Sequence, residues 1–546
     1  MQRRPRVLLT TVFRPFSTPG RYNVEDGERF LDYFTNRLTV ESGMFVLHDD
    51  HPTVPLHIIG SNIDADVTAL ETPTEHEFRE ELTRKYDVLG ISFYTLHFPK
   101  LVRMIALARH FAPETKIIVG GFGTALHDIE LLEIEGVCRG EGVRCIREFL
   151  GQDVSGQMEH PLVPVHMRLR LALRYPELGS HPSGIVVNGF GCPHACEFCL
   201  TSSYYGHRRI PFLATGDELF EVMKRYFDES GIRDFLIYEE DFLLYREQVR
   251  RFGSLVSKNR APFSYGCFAA VRSLCEHEVS DLVRGGLSHV WIGVESMSSP
   301  FKKSVGRPVQ DLFDELNHWG ITTTASLIAG LDHHSRENMH QEYEYVASLF
   351  PSTVQISHLI AAPGTPLTSR LTKEGRLVQT DARDATLYSE TVRHPGFEQG
   401  ELRESAFQGY EYIYQRLGPA LFRMMRTWLE GYRTLRRVSD PGLRLRAELL
   451  RERVNSVRPF FMMTHEFLPN RAVQEEVRET LREMDSNLGP PSEAQVRRAE
   501  LIRRIFRKEH GRLQEEGPLV YEPETRRSHY SLTRTSRNQT GLSQRR

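Results

Sequence analysis

The chain has no apolar run approaching the ~18 residues needed to span a bilayer. Behind the basic start Met1-Gln-Arg-Arg-Pro-Arg6, the run Val7-Leu-Leu-Thr-Thr-Val12 is too short and too polar for the core of a signal peptide. A net charge of -3 gives no global field that would favour nucleic acid. Seven cysteines in 546 residues do not form a disulfide framework. What is left is an ordinary globular composition, and the length predicts about three domains, since one core does not grow this large.

Three of those cysteines are clustered. The stretch Gly189-Phe-Gly-Cys-Pro-His-Ala-Cys-Glu-Phe-Cys-Leu200 places Cys192, Cys196 and Cys199 at C-x3-C-x2-C spacing, just after a short apolar run, Ile185-Val-Val187, that reads as a strand. A closed structural zinc site needs a fourth ligand, usually from a second pair further along. No such pair follows, and His194 is cramped between two of the cysteines. Three thiolates on a cubane iron–sulfur cluster leave one iron without a protein ligand, free to bind a substrate. The competing reading is a zinc knuckle, or a non-catalytic iron–sulfur protein. A cluster needs reduced thiols, so the cytoplasm is the expected compartment.

Two blocks of alternating strand and helix signals flank a proline-bearing stretch. In residues 1–150, strands are expected at Arg6–Thr11, Asp66–Leu70, Tyr86–Tyr94 and Lys116–Gly123, with helices at Glu75–Lys85 and Leu101–Phe111. A long irregular insertion is expected at about 13–60. Repeated β-α units imply a parallel, doubly wound sheet, whose ligands sit beyond the carboxyl ends of the strands, where Ser92, Gly120 and Gly121 lie. Residues 151–183 read as a linker with one short basic helix at about 165–175. From 184 to 395, six strands separated by helices fit a partial TIM-like (β/α)6 barrel. Thr215-Gly-Asp-Glu218 is a capping box that opens one of its helices.

The cysteine loop, including the aromatic Phe198, resembles the signature of the radical S-adenosylmethionine (SAM) enzymes, and the strands that follow match that family's core element by element. The resemblance implies a 4Fe-4S cluster on Cys192, Cys196 and Cys199 and reductive cleavage of SAM to a 5′-deoxyadenosyl radical. It implies an electron donor such as flavodoxin or ferredoxin. Phe198 would lie near the adenine, and Glu239 or Glu240 would meet the SAM amino group. Glu295, in Gly293-Val-Glu-Ser296, would face the ribose, and Ser326 and Gly330 would line the adenosine. Pro363-Gly-Thr-Pro-Leu367 is typical of the cobalamin-linked subgroup.

The N-terminal block resembles that subgroup's cobalamin-binding domain in Gly90-Ile-Ser-Phe-Tyr94, in Gly120-Gly121 and in Arg139-Gly-Glu-Gly142. The Asp-x-His-x-x-Gly loop that supplies an axial histidine in some members is missing; Pro55-Leu-His-Ile-Ile-Gly60 lacks the Asp and lies in the wrong place. Cobalamin would then be held without a histidine ligand, or the domain keeps the fold and needs no ligand at its glycine turn. Cys138 and Cys145 are expected to be ordinary buried or half-buried side chains, and no N-terminal cysteine set supports an RNA methylthiotransferase.

Residues 396–516 read as helical. Leu421, Met425, Trp428, Tyr432 and Leu435 form one apolar stripe, with Arg423, Arg426, Arg433, Arg436 and Arg437 on other faces. Such a helix either packs on the barrel or contacts a membrane surface peripherally. Phe460-Phe-Met-Met463 is either core or the floor of a greasy pocket. Residues 517–546 read as a disordered tail. The expected function is cobalamin-dependent C-methylation of a lipid or other hydrophobic small molecule. The alternative is radical coupling or ring formation without methyl transfer.

Overall fold

The computed structural model describes residues 3–14, 44, 47–49, 52–169, 180–299, 301, 306–378, 389–516 and 524–531. Its strands in chain order begin with β1 (Arg6–Thr11), β2 (Leu47–Asp49), β3 (Asp66–Glu71), β4 (Val88–Ser92), β5 (Lys116–Gly120) and β6 (Gly136–Cys138). Next come β7 (Val163–Leu169), β8 (Ser180–Val187), β9 (Gly189–Phe190), β10 (Ile210–Pro211) and β11 (Asp234–Tyr238). The last are β12 (Ser264–Ala270), β13 (Leu287–Glu295), β14 (Thr322–Ala329), β15 (Thr353–His358) and β16 (Arg526–Ser531).

The N-terminal sheet has the order β16-β3-β1-β4-β5-β6, with β3, β1, β4, β5 and β6 parallel. Continuous apolar runs build it because both faces are covered. Leu8, Leu89, Ile91 and Val119 pack against helices Glu75–Leu82 and Phe98–Phe111. Val7, Leu9, Val88 and Ile118 pack on the other side, with Leu56 and Ile146 of helices Val54–Asn62 and Gly142–Phe149.

The second sheet has the order β15-β14-β13-β12-β11-β8-β7-β2. Its six expected strands, β8 and β11 to β15, run parallel, each joined to the next through a helix. Alternate residues such as Ile237, Ile292, Leu327 and Ile356 are buried under the helices in the largest core. The other face is the inside of an open barrel. Thr215 and Glu218 form the expected capping box of helix Gly216–Ser230.

Three expectations are corrected. The insertion at about 13–60 is not irregular throughout: Val54–Asn62 is a helix with Pro55 in its first turn. It is apolar on several sides because it lies between the two sheets, which hid its period. Residues 15–43 lie outside the described residues. The basic helix at 165–175 is overturned at 163–169, where β7 pairs antiparallel with β8 (Val163 opposite Ile185) and β2 pairs with β7; residues 170–179 are outside the described residues. The disordered tail is overturned at Arg526–Ser531, which extends the N-terminal sheet antiparallel to β3. Polar anchors fix that strand: Arg527 pairs with buried Glu81, and Tyr530 meets His57, which also contacts Glu71 at 2.9 Å.

The C-terminal region is helical as expected. In helix Ala420–Leu435 the stripe residues Leu421, Met425 and Leu435 are buried, so its apolar face is covered by the rest of the chain. Arg423 is fully buried and donates to Ser352 O at 3.1 Å, while Arg426 pairs with Glu476 and lies over the Phe350 ring. Phe460 and Phe461 belong to the core of this helical region. Among the described residues no helix is long and apolar enough to cross a membrane.

Candidate active site

The cysteine loop leaves the barrel sheet between β9 and the short helix Leu200–Tyr204. Cys199 caps that helix, its Sγ accepting from Ser202 N at 3.4 Å, and Ser202 Oγ reaches back to Cys192 O at 2.7 Å. Gly191 has φ +76°, and a Cβ there would lie 2.6 Å from Tyr205 Cβ and collide with Arg208 O. Cys192 is buried, Cys196 and Cys199 half-buried. Burial, helped by the charge of Asp241, pushes the Cys192 thiol up to about 12.

His194 turns away from the thiols and meets Asp241 Oδ2 at 2.6 Å, an oxygen that Ser273 also contacts at 2.6 Å. Among the described residues, the trio with ligand atoms within 4.8 Å of one another is His333, His334 and Glu342, not the cysteines. Thiolates on a tetrahedral zinc stand about 3.8 Å apart. The three sulfurs are therefore not all as close together as one zinc ion would hold them, and three thiolates on a cubane cluster would leave one of its positions unligated.

The acids at the strand ends divide their work. Glu239 is buried and held by Arg209 (2.5 and 3.0 Å) and by Asn188; burial raises its carboxyl above the usual range despite the guanidinium. Glu240 is exposed, close enough for its charge to act on Cys192 and Tyr205. Glu295 ends β13 at φ +67°, at a register shift against β14, a strained conformation of the kind found where a side chain must be aimed.

A network not anticipated from the sequence secures that turn. Glu342 accepts from Ser296 Oγ (2.8 Å) and Met297 N (2.7 Å), directly after Glu295. Its other neighbour, His334 Nε2, lies 3.4 Å away, and His334 Nδ1 accepts from Gly330 N (3.1 Å) and Leu331 N (3.2 Å). Two backbone donors on Nδ1 fix the proton on Nε2, which faces Glu342, so His334 and Glu342 brace the ends of β13 and β14 and do not form a ready metal site. Gly330 needs its φ of +87°, and a Cβ there would meet Leu402 at 2.6 Å. Ser326 donates to Gln355 Oε1 at 2.7 Å.

Phe198 packs edge-on against Phe301 (4.9 Å) in a cluster with Ile328, Leu331 and Leu359, at the ends of β14 and β15. The Pro363–Leu367 element docks on the same loop: Leu367 N donates to Glu197 O (3.0 Å), and Arg370 reaches the Glu197 carboxylate at 3.1 Å. Cys192, Cys196, Cys199, Phe198, Glu240, Glu295 and Gly330 thus share one end of the barrel sheet.

Residues 187–346 match the Radical SAM superfamily. The chain carries a radical SAM domain. Two curated relatives extend beyond that domain. The hopanoid C-2 methylase of Rhodopseudomonas palustris is 25% identical over 228 residues, covering 40% of this chain and 43% of that protein. An uncharacterized methyltransferase of Pyrococcus horikoshii is 20% identical over 364 residues, covering 60% and 79%. The chain therefore spans less than half the length of the first. Among solved structures, coproporphyrinogen III oxidase from Escherichia coli, a radical SAM enzyme, aligns over 45% of this chain and 55% of its own at 15% identity, with a TM-score of only 0.29.

The family implies SAM and a 4Fe-4S cluster for the radical SAM domain. The N-terminal sheet is a separate question. Ser92, Gly120 and Gly121 line a cavity of about 160 Å³ beyond its strand ends, together with Ile58, Ile91 and Cys138. Tyr204 and Tyr205, straight after the cysteine loop, form part of its wall. The Tyr204 hydroxyl lies 3.0 Å from Thr124 Oγ1, accepts from Gly140 N at 3.0 Å and donates towards Gly121 O and Cys138 O, each at 3.3 Å. Cavities of this size take a single benzene-like ring. A corrin macrocycle is larger than this volume and would extend through the cavity's open side, beside the two tyrosines. Gly121, at φ +92°, is already required by its turn, because a Cβ would sit 2.6 Å from Phe93 O. His57 is engaged by Glu71 and Tyr530, so it offers no axial ligand there. Cys138 lines this cavity, and Cys138 and Cys145 are both free thiols, buried and half-buried.

Proposed function

We propose that the chain is a radical SAM C-methylase acting on a hydrophobic small molecule. The reading is carried by three thiols, Glu240, Glu295 and Gly330 around one end of a barrel, and supported by two relatives named as a methylase and a methyltransferase. With a cluster bound, one electron would split a first SAM to methionine and a deoxyadenosyl radical that takes a hydrogen atom from the substrate, and a second SAM with a second electron from the same donor would supply the methyl group and leave S-adenosylhomocysteine. The protein's part is placement and exclusion of water. Cys192, Cys196 and Cys199 hold three irons. Glu240 accepts from the SAM amino group, and Glu295 from the ribose hydroxyls. Phe198 and Ser326 border the adenosine. A flavodoxin or ferredoxin is the proposed electron donor.

The tyrosines that narrow the cavity at the N-terminal strand ends favour keeping a second reading: coupling or ring formation by SAM alone. One experiment separates them. Anaerobic turnover with a hydrophobic extract should yield both S-adenosylhomocysteine and 5′-deoxyadenosine for a methylase, and only deoxyadenosine for the second reading. Cys192→Ala should abolish deoxyadenosine; if it persists, the cluster assignment is wrong.

A further inference from the structure

The inner face of the barrel sheet carries a row of aromatic side chains that the core does not use. Register places Leu236 of β11 beside Gly266 of β12, which brings Tyr238 next to Phe268 two residues on, and Phe268 is beside Trp291 of β13. Their ring centroids are 6.4 Å (Tyr238–Phe268) and 5.4 Å (Phe268–Trp291) apart. All three are half-buried, whereas the alternating residues that face the helices are buried. Phe268 and Trp291 join none of the chain's buried clusters, and Tyr238 only borders one.

One step nearer the strand ends, Gly293, Ser326 and Gln355 lie side by side on β13, β14 and β15. Because Ser326 donates to Gln355 Oε1, the amide nitrogen of Gln355 is left without an acceptor among the described residues. Below the row, His289 is engaged by the hydroxyls of Thr322 (3.0 Å) and Thr324 (3.1 Å), and burial keeps it neutral near pH 7. The row and the residues level with it, Thr324 and Thr353, carry no charge, so nothing there would compensate a phosphate or carboxylate.

We propose that Tyr238, Phe268 and Trp291 form the floor on which the substrate lies, with Gln355 donating to one neutral oxygen. The substrate is then an uncharged molecule with a flat hydrocarbon body and a single hydroxyl or carbonyl group. Aromatic faces suit such a body, and apolar walls with few polar groups are what orient small ligands. This rests on the radical SAM reading, since the floor lies below the strand ends where that chemistry would take place.

The test is equilibrium binding to the anaerobically reconstituted holoenzyme of three radiolabelled probes delivered from cyclodextrin: a pentacyclic triterpene alcohol, a sterol and a dinucleotide. At least one of the two ring alcohols should bind saturably and the dinucleotide should not. Trp291→Ala and Phe268→Ala should each weaken the ring alcohol at least about tenfold, while Trp291→Phe stays within about threefold of wild type. Iron content and SAM affinity, measured on the same samples, report folding of the variants. Saturable dinucleotide binding, no binding of either ring alcohol, or equal binding by Trp291→Ala overturns the proposal. Absent iron or absent SAM cleavage in the wild type would sink the radical SAM reading instead, which keeps the two failures apart.

Discussion

The two parallel sheets obey one topological rule and use it differently. Both are β-α alternations, and both gather glycines and polar groups beyond the carboxyl ends of their strands, where ligands of such sheets bind. At the barrel sheet the strand ends carry reactive and charged side chains: three thiols, exposed Glu240 and buried Glu295 held at positive φ. At the N-terminal sheet they carry glycines beside a cavity that Tyr204 and Tyr205 line in part. Topology says where a ligand could sit. Side chains decide whether the place is kept for one.

The sharpest way to test the comparison is a matched pair of glycine substitutions. Gly191→Ala places a Cβ against Arg208 O and Tyr205 at φ +76°, which costs about 1–3 kcal/mol locally. Iron retained after anaerobic reconstitution should fall severalfold. Gly120→Ala meets only Cys138 Cβ at 3.5 Å, an ordinary contact, and should leave iron content and thermal stability unchanged. A large loss from Gly120→Ala would mean that the N-terminal strand ends hold something after all.

Tyr204→Ala removes the hydroxyl that ties the cysteine loop to Gly121, Cys138 and Gly140. Hydroxocobalamin bound after desalting should rise at least about tenfold over a low wild-type level, because the Tyr204 ring takes up room along the cavity wall. One equivalent on the wild type would break the comparison, since the tyrosines would then move aside unaided.

Glu342→Gln loosens the brace behind Glu295. Burial opposes ionisation of Glu342, yet His334, Met297 N and Ser296 hold its carboxyl below the usual range. SAM affinity should drop about tenfold with iron content unchanged, the scale typical of groups that orient a ligand-contacting residue. Glu342→Asp should recover part of it. Equal loss of iron would assign Glu342 to the fold alone.

A pH dependence is seated at His160, beside β8. His160 accepts from Val187 N (2.8 Å) and contacts Pro161 O (2.6 Å), and burial lowers it to about 4. The folded state thus prefers neutral His160. Its stability is fully present above about pH 6.5 and declines as pH falls towards 4, by about 3 kcal/mol at most. The fall in melting temperature over that window should shrink in His160→Gln.

Much of this was readable in one dimension. The barrel strands follow from apolar runs buried under helices, and Thr215-Gly-Asp-Glu218 marks a helix start whose chemistry is local. The cysteine spacing needs no fold to be recognised. Less legible were helix Val54–Asn62, buried from two sides and so without a period, and β16, whose pairing rests on Arg527–Glu81 and Tyr530–His57 rather than on apolar residues. Equally hidden were the brace of Glu342 and His334 and the turning of His194 to Asp241, each joining residues far apart in the chain.

The sequence by itself determined the spacing of the three clustered cysteines, the element order and which faces had to be buried, because spacing and periodicity are properties of neighbouring residues. Only the tertiary structure decided which carboxylate is exposed and which is buried on an arginine, and that two tyrosines following the cysteine loop line the cavity at the other sheet's strand ends. Those outcomes depend on distance and exclusion between segments that the chain's order does not bring together.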